Sequence, residues 1–566
     1  LAAGALTTGG DNIVIGYAAL QSADGGEQNN VILGTGAGQN VNNDTADNNI
    51  FLGAYAGRGG TGALKESIAI GTNALDSTGT ANVTGAIAIG HNALTAANNS
   101  NVDYSIAIGY TALNSLQSGQ HNIAIGFQAL TATNGGQFNI ALGSEAGKFN
   151  VNGSNNIYIG YQAARGVSGE SQNYNTVIGY QSGYSIDGAD HTVTLGYQAG
   201  YNLRDGDKNV IIGSGAGYNI KDTFENVAIG YQALYTLESL GGDGYDFGQS
   251  RSTAVGAYAL HLAEDSAQVY AGNTAVGHSA GYRGGSNIAF GGNVYVGNNA
   301  GYWHDAGNSV FIGNGAGRNY MSGSDNVAVG AGAMRGFATS SSTGTDNVVI
   351  GNSAGRHWKS SFNSVVVGHD AGYEGAGSRD NTLLGAFTGY NMSGSQQYNT
   401  YVGSAAGYGK NLASNNVAVG KSALGGTDWR ALSSANGDWH ANTAVGSDAG
   451  RYAANSFSTF FGYGAGERAA GSTNNFIGYY AGRGTTSSAP YNNGSNNIGI
   501  GREALESFRS GSYNIALGRD AMTSQQDGQH NVAMGYHTLS GAGSATNNTT
   551  NHNVALGNQA MYYHGQ

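Results

Sequence analysis

The sequence predicts an all-β fold, a parallel β-solenoid of about 30 coils with roughly 16–19 residues per coil. Three observations predict it. A short apolar segment followed by a glycine recurs 30 times along the 566 residues. Examples are NIAIG within NIAIGFQAL at 122–130 and NVAIG within NVAIGYQAL at 226–234. Apolar residues within these segments alternate with the period of two that a strand requires. Successive glycines are never closer than 16 residues and mostly 16 to 19 apart, a repeat too short to hold two helices.

The composition excludes several other classes of protein. Glycine occurs 98 times and proline once, without the three-residue period of collagen. The net charge of −12 disfavours binding to nucleic acid, which requires clustered lysine and arginine. No apolar run approaches the ~18 residues of a membrane-spanning helix. Because the chain has no cysteine, disulfides and thiolate metal ligands are excluded.

Each repeat is numbered from its central glycine, so that Ile125 occupies position −1 of the Gly126 repeat. Position −1 is always apolar and position −3 is mostly Ile, Val or Thr, and we therefore expect −1 and −3 to face the core. Position −2, which carries residues such as Phe51 and Tyr158, is then predicted to form a second apolar face that neighbouring chains cover. Position +3 is Ala in 27 repeats and +4 is Gly in 16, which indicates a crowded corner with positive φ.

Position −4 is asparagine in 22 of the 30 repeats. A polar residue at the same place in every coil predicts a ladder, in which stacked amides bond to one another and to the backbone of the next turn. A solvated turn is the alternative explanation. The ladder residues singled out are Asn122, Asn139, Asn156, Asn209 and Asn226.

Tyrosine supplies the first group of candidate binding residues. Position +5 is tyrosine in four successive repeats, which predicts a column of stacked rings. Such a column can be a structural ladder, a contact between chains, or a platform for sugar rings. The four residues are Tyr184, Tyr201, Tyr218 and Tyr235.

The long loops supply the second group. Insertions occur at 235–251, 425–441 and 483–496, and the middle one contains Trp429 and Trp439. Loops on a rigid scaffold are where binding residues concentrate, so the two tryptophans are candidate ligand-binding residues. The alternative is that they cover the flank of the solenoid.

Neither a catalytic centre nor a metal site is predicted. The 35 acidic residues are scattered, and no two positions of the repeat carry carboxylates over several coils, as a glycan-cleaving site would require. Calcium-loop and phosphate-loop motifs are absent from the sequence. His530 and His552, on neighbouring coils, are interpreted as solvated histidines at the edge of the solenoid. We therefore expect no cofactor and no enzymatic activity.

The segments NSVFIG at 308–313 and NSVVVG at 363–368 resemble the head repeat of trimeric autotransporter adhesins, whose motif is close to N-S-V-A-I-G-x-x-S. Other repeats are similar to those of bacteriophage tail fibres and large bacterial surface fibre proteins. In the adhesin family this repeat forms a left-handed parallel β-roll, and three chains pack side by side. The resemblance covers essentially the whole chain. A left-handed triangular β-helix is the alternative architecture.

The resemblance implies a non-enzymatic extracellular fibre or adhesin shaft at a cell or virion surface. Its expected partner is itself, as a trimer or a filament, with attachment to a glycan or a host surface. The alternative is a phage tail fibre or tailspike-like solenoid that binds a glycan, cleavage being disfavoured by the scattered acids. Residues 1–566 are expected to form one continuous solenoid. The segment that leads from the corner of one repeat to the strand of the next is called the return arc. Because the chain begins inside a repeat at Leu1 and stops in a return arc at Gln566, we expect it to be part of a longer chain.

Overall fold

A computed structural model gives the fold as a parallel β-solenoid, as the repeats predict, and the residues it describes contain no helix. Within them there is accordingly no helix of the length and apolarity needed to cross a membrane. The chain divides into two compact units, Leu1–Gly292 and Asn293–Gln566. The structure describes residues 9–23, 25–97, 102–167, 169–237, 251–263, 272–284, 291–320, 322–336, 342–375, 377–392, 394–409, 413–426, 440–453, 455–484, 492–540 and 551–562.

Each unit is built from three-residue strands, one directly before every repeat glycine. In the first unit they are Ile13–Ile15, Val31–Leu33, Ile50–Leu52, Ile68–Ile70, Ile87–Ile89, Ile106–Ile108, Ile123–Ile125, Ile140–Leu142, Ile157–Ile159, Thr176–Ile178, Val193–Leu195, Val210–Ile212, Val227–Ile229, Thr253–Val255 and Thr274–Val276. In the second unit they are Val294–Val296, Val310–Ile312, Val327–Val329, Val348–Ile350, Val365–Val367, Thr382–Leu384, Thr400–Val402, Val417–Val419, Thr443–Val445, Thr459–Phe461, Asn475–Ile477, Ile498–Ile500, Ile515–Leu517, Val532–Met534 and Val554–Leu556.

Neighbouring strands within a unit pair in parallel and in register. Position −2 of one strand lies beside position −2 of the next, as in Ala107 beside Ala124 and Ala124 beside Ala141. Side chains of one repeat position therefore form a column along the solenoid. Short two-residue strands add a second pairing in some turns, at Leu64–Lys65, Val83–Thr84, Asn219–Ile220, Thr236–Leu237, Leu262–Ala263, Arg283–Gly284, His357–Trp358, Glu374–Gly375 and Asn391–Met392.

A tight corner follows each strand, and it requires the repeat glycine. Gly126 has a φ of +144°, and a Cβ there would overlap the carbonyl oxygen of Gly143 in the next turn. Positions +2 and +4 then adopt left-handed backbone conformations, with φ of 55° at Gln128 and 49° at Leu130. The glycine is therefore needed both for its conformation and for the close approach of successive turns.

The core is lined by position −2, and the prediction that −1 and −3 face inward is wrong. Ala124 and Tyr158 are fully buried, whereas Ile125 is 39% exposed and Ile15 is 60% exposed. Ile229, at position −1 of its own strand, is likewise only half-buried. The interior of each turn holds the side chain at −2, which ranges from Ala124 to Tyr158, and the β-branched residues at −1 and −3 reflect strand propensity on the outward side. Alternation showed which residues share a face but did not show which face is inside.

Candidate functional site

The asparagines at position −4 form continuous hydrogen-bonded chains in the structure. The backbone N–H and the Nδ2 of Asn139 both donate to Oδ1 of Asn122, at 3.0 and 3.0 Å. Asn156 donates in the same way to Asn139, at 3.1 and 3.0 Å, and Asn226 to Asn209, at 3.0 and 3.1 Å. These side chains are buried, and the second amide hydrogen reaches a backbone carbonyl of the return arc in the next turn. With their amides bonded within the protein, their role is to hold turns together.

The four tyrosines at position +5 form one stack. The ring centroids of Tyr184 and Tyr201 are 4.9 Å apart, those of Tyr201 and Tyr218 5.0 Å, and those of Tyr218 and Tyr235 5.2 Å. Burial, followed by the neighbouring phenols, raises the pKa of Tyr201 and of Tyr235. Each ring covers the face of the next, so the column presents ring edges and hydroxyls rather than the open faces on which a sugar stacks. Its proposed part in binding remains a prediction.

The long loops fall largely outside the described residues. Their centres, at 238–250, 427–439 and 485–491, are not described, and Trp429 and Trp439 lie in the second of them. The expectation that these tryptophans bind a ligand therefore remains a prediction.

Positions −3 and −1 together make an exposed apolar surface along each unit, here called the outer face. These two positions carry no charged residue in any of the 30 repeats. In the described three-residue strands the side chains at both positions are half-buried or exposed, while the residue between them is buried in every strand except Ile13–Ile15, where it is half-buried. Since strands lie ~4.8 Å apart, the result is a ribbon two side chains wide with a regular repeat along each unit.

Aromatic columns flank the outer face at both ends of its strands. At position +1, ring centroids are 5.3 and 5.4 Å apart along one column; at position −5 they are 5.4 and 5.3 Å apart along another. Most of these rings are about half exposed, as Phe127 is at 48% and Tyr104 at 53%. The columns are His91, Tyr110 and Phe127 at +1, and Tyr104, His121 and Phe138 at −5.

A second aromatic stretch lies further along the first unit. Tyr161, Tyr180 and Tyr197 stack at position +1, with ring centroids 5.3 and 5.4 Å apart. Tyr174 and His191 stack at position −5, at 4.8 Å. The outer face is therefore apolar in its centre and aromatic at its margins in this part of the chain.

Metal-binding geometry is not found in the part of the chain that the structure describes, where no three His, Asp or Glu side chains gather. His530 and His552 stack with ring centroids 5.0 Å apart and planes within 9°, and Tyr513 stacks on His530 at 4.9 Å. Ring-on-ring stacking directs the imidazole nitrogens sideways rather than toward one another, which is unsuited to sharing one ion between the two rings.

Comparison with known proteins finds no family model that matches the chain and no curated protein of matching sequence. The likeness to adhesin and tail-fibre repeats therefore rests on the short repeat motif.

The outer face was not predicted, because positions −3 and −1 were expected to face the core. The sequence nevertheless contains a signal for the correct assignment. Position −2 is large where position +4 is small, and small where +4 is large. Two positions whose volumes compensate in this way share one packed interior. Phe51 is followed by Gly57, whereas Ala69 is followed by Leu75.

Proposed function

We propose that this chain is a non-enzymatic structural shaft of an extracellular fibre or adhesin, in which copies of the chain pack side by side through the outer face. The observation that carries the proposal is the uncharged, exposed apolar ribbon along each unit. Apolar patches beyond a few hundred Å² are rare on soluble monomers and mark interfaces. Long apolar edges and faces are also what natural β-proteins avoid exposing, because such surfaces promote association.

The occupant that best fits this face is a second copy of the same chain. A partner lying along the ribbon has to match its ~4.8 Å strand repeat over many turns, and an identical solenoid does so without adjustment. The net charge of −12 is kept off positions −3 and −1, so like-charge repulsion is smallest where the copies would meet. The adhesin resemblance favours three copies around one axis, with a filament as the other possible assembly.

The assembled shaft would act mechanically. Within each unit, neighbouring described turns are bonded through the strand backbone and, where position −4 is asparagine, through the ladder, so bending requires many bonds to open together. Such a shaft would hold its loops at a distance from the surface that carries it. Attachment to a glycan or host surface would then fall to the loops, of which 425–441 contains two tryptophans.

Disulfide cross-linking tests this proposal, because the chain has no cysteine of its own. A single Ile125→Cys variant places one thiol on the outer face, and Gln117→Cys places one on the exposed return arc as a control. In a parallel symmetric assembly, equivalent residues of neighbouring copies face each other at the same height. Mild oxidation should therefore link Ile125→Cys into covalent dimers at micromolar concentration and leave Gln117→Cys unlinked. Equal cross-linking of both variants, or of neither, would count against the outer face as the contact.

A further inference from the structure

Three arginines follow one another in the second unit. Arg318, Arg335 and Arg356 occupy position +5 of three successive turns and are all half-buried. Because turns repeat at ~4.8 Å, the three side chains start one strand spacing apart on the same side of the solenoid. They are called the arginine column.

The arginine column lacks the carboxylate partners that other cations at position +5 have. No Asp or Glu oxygen of the described residues lies within 4.0 Å of its guanidinium nitrogens. The adjacent segment 337–341 reads FATSS and contributes no acidic residue. The remaining lysine and arginines at +5 in the described residues each pair with a carboxylate: Arg58, Lys148, Arg165, Arg451 and Arg483.

The missing partner has a local cause at position +2. In the Gly143 turn, Glu145 at +2 lies 2.8 Å from Lys148 at +5, and in the Gly446 turn Asp448 lies 3.2 Å from Arg451. In the arginine column the residues at +2 are instead Gly315, Gly332 and Ser353.

The small residues at +2 leave a cleft of about 240 Å³ beside the three guanidinium groups. A Cβ added at Gly315 would meet no other heavy atom within 4 Å, so this space is open. Asn314 and Asn352 stand at the rim and could donate amide hydrogen bonds. The cleft therefore combines three cations, hydrogen-bond donors and room for a small ligand.

The electrostatics of the cleft favour an anion. Partial burial, followed by the charges of Arg318 and Arg356, lowers the pKa of Arg335. The Nε atoms of Arg318 and Arg356 are buried without a hydrogen-bond partner. Tyrosine rings close both ends of the column, with Arg318 5.8 Å from the ring centre of Tyr302 and Arg356 5.7 Å from that of Tyr373. Among the described residues the two tyrosine rings lie at the ends of the column, and a negative charge in the cleft would relieve the repulsion along its length.

We propose that this cleft binds an oxyanion, namely a sulfate, phosphate or carboxylate group that is either free or carried on an acidic polysaccharide. Planar guanidinium groups match two oxygens of such groups at once, which makes arginine suited to binding them. The volume lies just below the ~300 Å³ at which ligand pockets begin, so the cleft has room for one charged group with part of a sugar ring, and the rest of a longer sugar chain would lie outside it. This site is independent of the outer face, so it can be tested whether or not the chain assembles.

Calorimetric titration of the full chain tests the proposal, with inorganic sulfate, inorganic phosphate and a sulfated polysaccharide as probes at constant ionic strength. Arg335→Gln removes the central cation. Gly332→Glu supplies the missing carboxylate, and its backbone is suited to this, since Gly332 has a φ of 65° and Glu145 one of 56°. Arg451→Gln, which removes an arginine already paired with Asp448, is the matched control.

We expect Arg335→Gln and Gly332→Glu each to weaken binding about tenfold or more, because the first removes a charged hydrogen-bond donor to the anion and the second pairs that donor with a carboxylate. Arg451→Gln should bind like the parent. Binding of the inorganic ions assigns a free oxyanion, and binding of the polysaccharide alone assigns a group carried on a sugar chain. The proposal is overturned if no probe binds the parent chain, if all variants bind equally, or if Arg451→Gln loses as much as Arg335→Gln. Circular dichroism establishes that each variant keeps its fold.

Discussion

At the scale of single residues, the interior is filled by exchange of volume between positions −2 and +4. Of the 16 repeats with Gly at +4, 13 carry a large residue or Thr at −2. Of the 13 repeats with Leu or Met at +4, 12 carry Ala or Gly at −2. A Cβ at Gly57 would overlap the ring of Phe51, which shows directly that the two positions occupy the same space. In most turns the interior therefore holds one large side chain, either from position −2 on the strand or from position +4 at the corner.

Neighbouring turns explain two of the exceptions. Ala141 and Gly147 are both small, but the ring of Tyr158 from the next turn fills the space beside Gly147. Phe460 does the same beside Gly450. Packing is therefore complementary between turns as well as within them, as a close-packed interior requires.

A double-mutant cycle tests this exchange of volume. Phe51→Ala should cost about 3–5 kcal/mol by leaving a cavity, and Gly57→Leu should destabilise by clashing with Phe51. The combination of both recreates the arrangement of Ala69 and Leu75, where Leu75 has a φ of 51° against 53° at Gly57. We expect the double variant to recover most of the lost unfolding free energy, as measured by urea denaturation. Simple additivity of the two costs would show that the positions do not share a space.

A second prediction concerns the asparagine ladder. Asn209→Ala removes the acceptor of two bonds from Asn226 and the donor to the carbonyls of Gly206 and Thr223. We expect a cost of roughly 1–2 kcal/mol from the polar groups left unpaired in the interior. Asn12→Ala should cost less, because Asn12 is only half-buried whereas Asn209 is fully buried. Equal losses in thermal unfolding for the two variants would argue against burial of the ladder as the source of the cost.

A third prediction concerns His304, which is fully buried in the second unit. Its Nε2–H donates to the carbonyl of Gly323 at 3.0 Å, so Nδ1 accepts from the hydroxyl of Tyr295 at 2.7 Å. This arrangement requires a neutral ring, and burial lowers the pKa of His304 to about 4. Burial, followed by the charge of Asp305, raises the pKa of Tyr295.

The sign of the pH effect follows from that shift. Below its ordinary pKa of ~6.5 the unfolded histidine binds a proton that the folded one does not, so stability is lost as the pH falls from ~6.5 toward 4. At about pH 5 the loss should be on the order of 2 kcal/mol. We expect the thermal midpoint of the parent to fall more between about pH 7.5 and pH 5 than that of His304→Gln. His91→Asn, which changes an exposed ring, should behave like the parent; a parent profile matching that of His304→Gln would refute this role of His304.

At the scale of the structural element, the sequence predicted the strand and its partners but not its orientation. The −1 and −3 residues, such as Ile125 and Ile123, were correctly placed on one face, because period-two alternation is a property of the backbone. Their apolar character suggested burial in the same chain. An apolar side chain that is to be buried by a neighbouring copy looks the same in a sequence, so composition alone could not separate the two cases. The exchange between −2 and +4 could have separated them.

The candidate sites differ in how well they could be predicted from the sequence. The ladder at Asn122 was predictable because asparagine recurs at position −4, whereas a position that merely faced solvent would accept many residue types. The tyrosine stack from Tyr184 to Tyr235 was predictable because in-register turns bring equal positions together. The arginine column was not recognised from the sequence. What distinguishes its arginines is that they lack a carboxylate partner, because position +2 holds small residues such as Gly315 and Gly332.

At the scale of the whole molecule, charge and apolar surface are separated. Ion pairs lie beside the corners, as between Glu145 and Lys148, while the outer face carries none in the described residues. In the proposed assembly, copies of the chain would meet through the apolar outer face while the charged sides stay in contact with water. Assembly of copies is therefore the property on which the proposed shaft depends.

Light scattering on a pair of adjacent substitutions tests this claim most directly. Ile125→Asp places a charge on the outer face, and Ala124→Asp, one residue away, places it in the core. We predict that the parent is an oligomer at micromolar concentration and that Ile125→Asp, combined with Ile108→Asp, dissociates into folded monomers with the circular dichroism of the parent. Ala124→Asp should instead lose the fold, since a buried unpaired charge costs several kcal/mol. A parent that is a stable monomer, or an outer-face variant that unfolds while Ala124→Asp does not, would contradict the account.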